Sequence, residues 1–234
     1  MKNVIILGAG TAGTMMANHL HKKLDKKDWQ ITIIDEKKNH YYQPGFLFLP
    51  FDLYRPEALV QPIQKFIPHH ENFINESIDR IAPEESLVKL ANGKTLSYDV
   101  LIIATGAHIA RGDAAAIPAS KAGSVAHFEA EILTKNILHY IHNEPLTEEF
   151  DGHANCFIET GNRRALLIDF NYTHEPVTGT FPFPGLGPLG LLEESYMNHL
   201  GKVAFKWIYW HMLLKGKHIP FVSARMQESG KEFA

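Results

Sequence analysis

The chain opens on a run of apolar, largely β-branched residues, Asn3–Leu7 (NVIIL), without polar alternation. Such a run predicts a strand covered on both faces. A helical period follows from about Thr11 to Leu24, then a second apolar run, Gln30–Ile34 (QITII). Asn72–Ile81 reads as a further strand. Leu87–Leu90 and Thr95–Ser97 flank Ala91-Asn92-Gly93-Lys94, and Asn-Gly between two strand runs predicts a hairpin. VLIIATG, from Val100 to Gly106, is another buried run ending in a glycine turn. Lys37–Pro68 is a long connection with aromatic and Pro-punctuated stretches. Asn198–Leu214 has helical spacing. No internal repeat or low-complexity segment interrupts the pattern.

The junction of the first strand and helix carries chemistry. GAGTAG, Gly8–Gly13, matches G-x-G-x-x-G. Gly8 allows the tight turn, Gly10 lets backbone approach a pyrophosphate, and Gly13 lets the helix pack close to the strand. The N–H groups and positive dipole end of the helix, at Thr11, Ala12 and Gly13, suit phosphates. Asp35 closes the second strand about twenty residues on, placed to accept hydrogen bonds from an adenosine ribose. An acid there disfavours a 2′-phosphate, so FAD or NAD is expected before NADP. A glycine-rich turn that binds nothing would not need strand, helix, second strand and acid all in register.

Composition narrows the classes. The chain has 234 residues, 45% hydrophobic, with net charge −3, which allows a full core and gives no nucleic-acid signature. Cys156 is the single cysteine, so no disulfide can form within the chain and a reducing compartment is expected. MKNVIILGAG lacks the length and cleavage site of a signal peptide. Histidines number 14, but no Cys/His spacing suits zinc, and no metal site is expected. There is no G-x-S-x-G elbow and no Tyr-x-x-x-Lys pair.

The order βαβ, meander, ATG resembles the FAD domain of the two-dinucleotide-binding flavoproteins. More closely, the chain resembles sulfide:quinone oxidoreductases and their relatives, including type II NADH dehydrogenases. YYQPG (Tyr41–Gly45) looks like the loop beside their flavin. HIARGD (His108–Asp113) looks like their return strand, and the stretch from Gly112 to Ile137 like their GD motif and the helix beneath the flavin. FDGHANCFIETG (Phe150–Gly161) looks like the segment carrying their last cysteine. In that family a whole nicotinamide domain separates ATG from GD. Here only a few residues do.

The resemblance therefore implies an α/β fold: a three-layer Rossmann-like FAD-binding domain with a parallel sheet and β-meander, plus a C-terminal extension. It implies an FAD domain over 1–190, in two blocks of about 1–107 and 108–190, joined where a second domain is missing. An amphipathic helical extension would occupy 191–234. The FAD would be held without a covalent bond. Its implied contacts are Gly8, Gly10, Thr11, Ala12 and Gly13 at the pyrophosphate, and Asp35, Glu36 and Lys37 on the adenosine side. Ile78 would face adenine through its backbone. Pro44, Ala104, Thr105 and Gly106 would close the pocket. Gly112 and Asp113 would anchor the ribityl chain, with Lys121 and Ala122 at the helix aimed at the flavin. Cys156 matches the last family cysteine and is the catalytic candidate, although the family chemistry uses two cysteines. The other G-x-G-x-x-G match, GLGPLG at Gly185–Gly190, is rich in proline and has no βαβ pattern around it, so no nicotinamide site is expected and sulfide and NADH turnover are both in doubt.

The C-terminal stretch adds a partner. It is too short and polar to span a membrane. It fits an interfacial helix with Phe205, Trp207 and Trp210 toward lipid and Lys202 and Lys206 toward headgroups, or equally a helix packed on its own domain or on a second copy. A quinone or membrane surface, a homo-oligomer such as a dimer, and a cytoplasmic site or one peripheral to the membrane's inner face are the expectations. Two functions stay open: residual electron transfer through flavin, or a non-catalytic minimal flavin-binding or interaction scaffold. A third alternative keeps the fold with no cofactor and buries a bared face by dimerisation.

Overall fold

The computed structural model describes residues 1–106, 122–183 and 185–232. The expected return strand, with Gly112, Asp113 and Lys121, lies outside the described residues. The chain forms two compact units, Met1–Ile109 and Ala110–Ala234.

In the first unit β1 (Lys2–Leu7) leads into α1 (Thr11–His21) and β2 (Trp29–Ile34). Both strands are apolar runs, and they pair in parallel with Lys2 opposite Trp29 and Leu7 opposite Ile34. The long connection is not plain loop. It carries β3 (Asn39–Tyr41) and β4 (Val60–Pro62), an antiparallel pair, with short 3₁₀ turns between them. The expected strand over 72–81 is two strands, β5 (Asn72–Ile74) and β6 (Ile78–Ala82). The break has a local cause: Asn75 Nδ2 and the Glu76 N–H both donate to the Asp35 carbonyl, which turns the chain at the end of β2. β7 (Leu87–Leu90) and β8 (Thr95–Ser97) form the expected hairpin and β9 (Val100–Ile103) follows.

The four parallel strands stand in the order β5-β2-β1-β9, and β6-β7-β8 form a separate antiparallel meander. Alternation along a strand sends neighbouring side chains to opposite faces. Ile5, Leu7 and Ile34 therefore share one face, where they pack with Val88 and Leu90 of the meander. On the other face lies α1, which buries Met15, Met16 and Leu20. Helix, parallel sheet and meander make the three expected layers. Each fully buried Ile or Leu contributes about 1.5–3 kcal/mol.

The second unit begins with α2 (Gly123–Ile141), then β10 (Ala154–Gly161), β11 (Arg164–Phe170), β12 (Thr178–Phe181), β13 (Leu189–Leu191), α3 (Tyr196–Ile208) and β14 (Lys231–Glu232). β10 and β11 are joined through Asn162 and Arg163, both at positive φ, as a tight hairpin with matching twist requires. The sheet order is β10-β11-β13-β12-β14. Residues on both sides of 190 thus belong to one sheet, and the division of the chain falls at Ile109/Ala110 rather than at 190. Asp169 of β11 is fully buried between His153 Nε2, at 2.8 Å, and Lys231 Nζ of β14, at 2.6 Å. The His153 ring stacks on Phe128 of α2 at 4.4 Å. This buried triad ties the ends of the second sheet together.

α3 starts on a true cap: Ser195 Oγ accepts the Asn198 N–H at 3.0 Å. After Ile208 the helix widens into a π turn, Tyr209–Leu213. The wider turn rotates its own residues relative to α3, so Tyr209 and Trp210 are buried. Lys202 is also buried. Of the residues expected to face lipid, Phe205 is half-buried and Trp207 alone is well exposed, and Lys202 does not face outward.

Candidate functional site

The glycine loop joins the C-terminal ends of β1 and β9. Gly8 has φ +97°, and an added Cβ there would lie 2.4 Å from Ala104 O. An added Cβ on Gly13 would lie 1.9 Å from Gly8 O. These two glycines are required by the protein's own backbone. Gly10 differs, since a Cβ there would meet nothing within 4 Å. The first and last glycines close the strand–helix junction, and the middle one leaves open space beside the helix N-terminus. No side chain caps that end of α1 and no acid sits in its first turn. Thr11, Ala12 and Gly13 thus begin a positive helix end facing an open cradle, suited to a diphosphate.

Asp35 fixes the far side. Its Oδ2 accepts the Ala9 N–H at 2.7 Å and its Oδ1 the Lys37 N–H at 2.8 Å. Both carboxylate oxygens therefore act as acceptors oriented by backbone, with further lone pairs for ribose hydroxyls. Glu36 accepts from Ser77 Oγ at 2.9 Å, which draws the adenosine-side residues toward the start of β6. Ile78 itself packs its side chain into the sheet–meander core.

Two partners of the Ala9 carbonyl lie outside the expected set. Thr14 Oγ1 donates to Ala9 O at 2.9 Å, and His40 Nδ1 lies 3.4 Å from the same oxygen. Burial holds His40 below the ordinary histidine range, with the Ala9 carbonyl and Asp35 pulling the other way. A neutral ring beneath the loop keeps positive charge out of the core. The one sequence signal for His40 is its place just before YYQPG. Thr14 gives none, being one more residue in a helical pattern.

Of the expected site residues, the structure gathers Gly8, Gly10, Thr11, Ala12, Gly13, Asp35, Ala104 and Thr105 at one sheet end, with Gly106 next in the chain at φ +75°. Glu36 and Lys37 adjoin them. Pro44 opens a 3₁₀ turn after β3. Ala122 caps α2 and Cys156 lies on β10, both in the second unit. Cys156 is a free, half-buried thiol. Burial lowers the pKa of Lys202, with Cys156 and Glu159 acting in the opposite sense. Among the described residues no group of three or more His, Cys, Asp or Glu is arranged to hold a metal, and no helix is long and apolar enough to cross a membrane.

A βαβ unit with an open glycine cradle, an uncapped helix end and an acid closing the second strand defines a dinucleotide-binding domain. A family model described as pyridine nucleotide-disulphide oxidoreductase matches residues 2–142. The chain belongs to that family. It is 30% identical over 109 residues to the mitochondrial sulfide:quinone oxidoreductase of Dictyostelium discoideum, covering 45% of this chain and 24% of that one. It is 31% identical over 106 residues to a type II NADH:quinone oxidoreductase of Staphylococcus haemolyticus, covering 45% and 26%. The matched stretch thus spans about a quarter of those relatives. A chain in the Tetrahymena thermophila mitochondrial ATP synthase tetramer shares the fold, with TM-score 0.72 at 10% identity, covering 92% of this chain and 97% of that one.

Proposed function

We propose that the first unit is a non-covalent FAD site of sulfide:quinone oxidoreductase type, in a chain that lacks the inserted nicotinamide-type domain. The observation carrying this reading is the contrast among the three glycines. Gly8 and Gly13 are filled by backbone, while Gly10 opens onto free space beside an uncapped helix end. That is the cradle a pyrophosphate needs. Gly8 to Gly13 would hold the diphosphate, Asp35 the ribose, and Glu36 and Lys37 would flank the adenosine side. Residues 104–122, between β9 and α2, are too few for a second βαβ domain.

FAD, when bound, supplies electron uptake from a donor and release to an acceptor. The chain's own residues place it and exclude water around the diphosphate. The relatives' names carry quinone as acceptor, and a quinone or an artificial acceptor is the acceptor proposed here. Quinones dissolve in lipid, so the encounter belongs at a membrane surface. Sulfide turnover by a cysteine pair is not expected, since Cys156 has no partner cysteine in the chain. Steady-state assays with sulfide, NADH and a quinone analogue test the enzyme reading. Reduction of the analogue by chemically reduced, FAD-loaded protein supports it, and flat traces from fully loaded protein contradict it.

A second reading is a non-catalytic flavin-binding or interaction scaffold. What favours it is length: the same fold stands at nearly the same chain length in a large mitochondrial assembly. Flat assay traces with FAD bound would select it.

A further inference from the structure

In the second unit, the chain from His218 to Gln227 passes beside α2 and leaves a cleft of about 410 Å³ against it. That is within the range of small-molecule sites. Its walls are held by the protein's own bonds. His153 Nδ1 lies 3.0 Å from Ser223 O, the Met226 N–H donates to Asp151 Oδ2 at 2.9 Å, and Arg225 Nε donates to Glu149 O at 3.0 Å. The Asn136 side chain pairs with both backbone groups of Glu148, at 2.7 and 3.2 Å. A cleft fixed in this way needs little ordering to bind.

Charges of both signs line it. Oε2 of Glu148 takes Lys135 Nζ and Arg225 Nη2, each at 3.3 Å. Two half-exposed cations thus share one carboxylate oxygen, and each has further N–H donors to offer. One turn back along α2, Glu131 lies on the same face as Lys135. His218 Nδ1 lies 3.2 Å from its Oε1, which leaves Oε2 as an acceptor. Ile132, Val222 and Ala224 add apolar wall, and Phe221 adds an aromatic one. Phe221 holds φ +66°, a region costly for a bulky side chain, yet its ring is 65% exposed beside the Phe183 ring at 4.7 Å. Burial of the ring does not offset that strain, and an aromatic group stacked on it would.

We infer that this cleft binds a zwitterionic amino acid with an aromatic side chain. Its carboxylate lies between Lys135 and Arg225, its ammonium on Glu131, and its ring against Phe221. Lys135 and Arg225 supply two positive charges and Glu131 and Glu148 two negative ones, so a ligand carrying both signs fits better than one carrying either alone. The phosphates of a nucleotide would meet both carboxylates, and a simple amine both cations. A ligand this small, held by partly exposed charges, dissociates on the order of 1 mM. Every lining residue belongs to the second unit, so the site does not depend on the FAD reading of the first.

Two-dimensional NMR of the isotope-labelled full chain, titrated with L-phenylalanine, tests it. The expected result is saturable shifts of the Ser223, Ala224 and Gln227 amide signals near that concentration. Phenylpropionate lacks the ammonium and phenethylamine lacks the carboxylate, and each should bind about tenfold more weakly, the loss of one charge-assisted hydrogen bond. Glu131→Gln should weaken L-phenylalanine about tenfold and leave phenylpropionate unchanged. Lys135→Gln should weaken both of these and leave phenethylamine unchanged. No shift at those amides well above the expected dissociation constant overturns the proposal. So does an analogue that binds as tightly as L-phenylalanine, or a Glu131→Gln chain that binds both ligands as the parent does.

Discussion

Asp35 Oδ2 accepts the N–H of Ala9 at 2.7 Å, so the carboxylate that ends β2 is tied to the loop that ends β1. One side chain thereby shapes the glycine cradle and presents an acceptor beside it. Asp35→Ala removes both functions. A hydrogen bond to a charged group contributes about 1.5–3 kcal/mol, so FAD affinity should fall roughly ten- to a hundredfold. Titration followed by flavin fluorescence measures it, and an unchanged affinity would remove Asp35 from the site.

The glycines should separate folding from binding. Gly13→Ala puts a methyl group 1.9 Å from Gly8 O, so α1 must move off β1. The expected cost is about 1–3 kcal/mol or more, as for other overpacking changes. Gly10→Ala meets nothing within 4 Å and its φ of −71° suits alanine. Its melting temperature should match the parent while FAD binding is lost. Thermal melts with parallel FAD titrations show whether the two variants divide in this way.

Acid should loosen the first unit. Burial, helped by Lys22 and Lys23, lowers His19 to about 4, and burial also lowers His40. In the unfolded chain both histidines take up a proton near pH 6.5. The unfolded state therefore binds more protons below that pH, and stability falls as pH drops from about 6.5 to about 4. The His19 shift alone corresponds to on the order of 2–3 kcal/mol. Urea midpoints at pH 7.5, 6 and 5 follow the loss, and His19→Gln should flatten it.

In the second unit, Asp169 is buried against both His153 and Lys231. Removing one member of a buried charged set leaves the rest uncompensated, at a cost of about 3–5 kcal/mol. Asp169→Ala should therefore lower the denaturation midpoint of the second unit, read by near-ultraviolet dichroism, without changing the flavin affinity of the first.

Much of the first unit is legible in the sequence. β1, α1, β2 and the meander follow from apolar runs, helical period and the Asn92-Gly93 turn, because each signal is local. The split at Asn75–Ser77 is not, because it depends on a carbonyl of Asp35 some forty residues away. His40 escapes for the same reason, since its partner is Ala9. The sheet of the second unit is hidden because β12, β13 and β14 are short and because the β10–β11 hairpin turns on Asn162-Arg163 rather than on an Asn-Gly pair. Helical spacing puts Trp210 on the lipid side because it cannot foretell the π turn that rotates this residue inward.

The most direct test of the flavin site is the visible absorption spectrum of the purified protein before and after acid precipitation. The account predicts flavin bands in the native protein that move to the supernatant, the mark of FAD held without a covalent bond. A protein that is colourless as purified, and stays so after incubation with FAD, would contradict it.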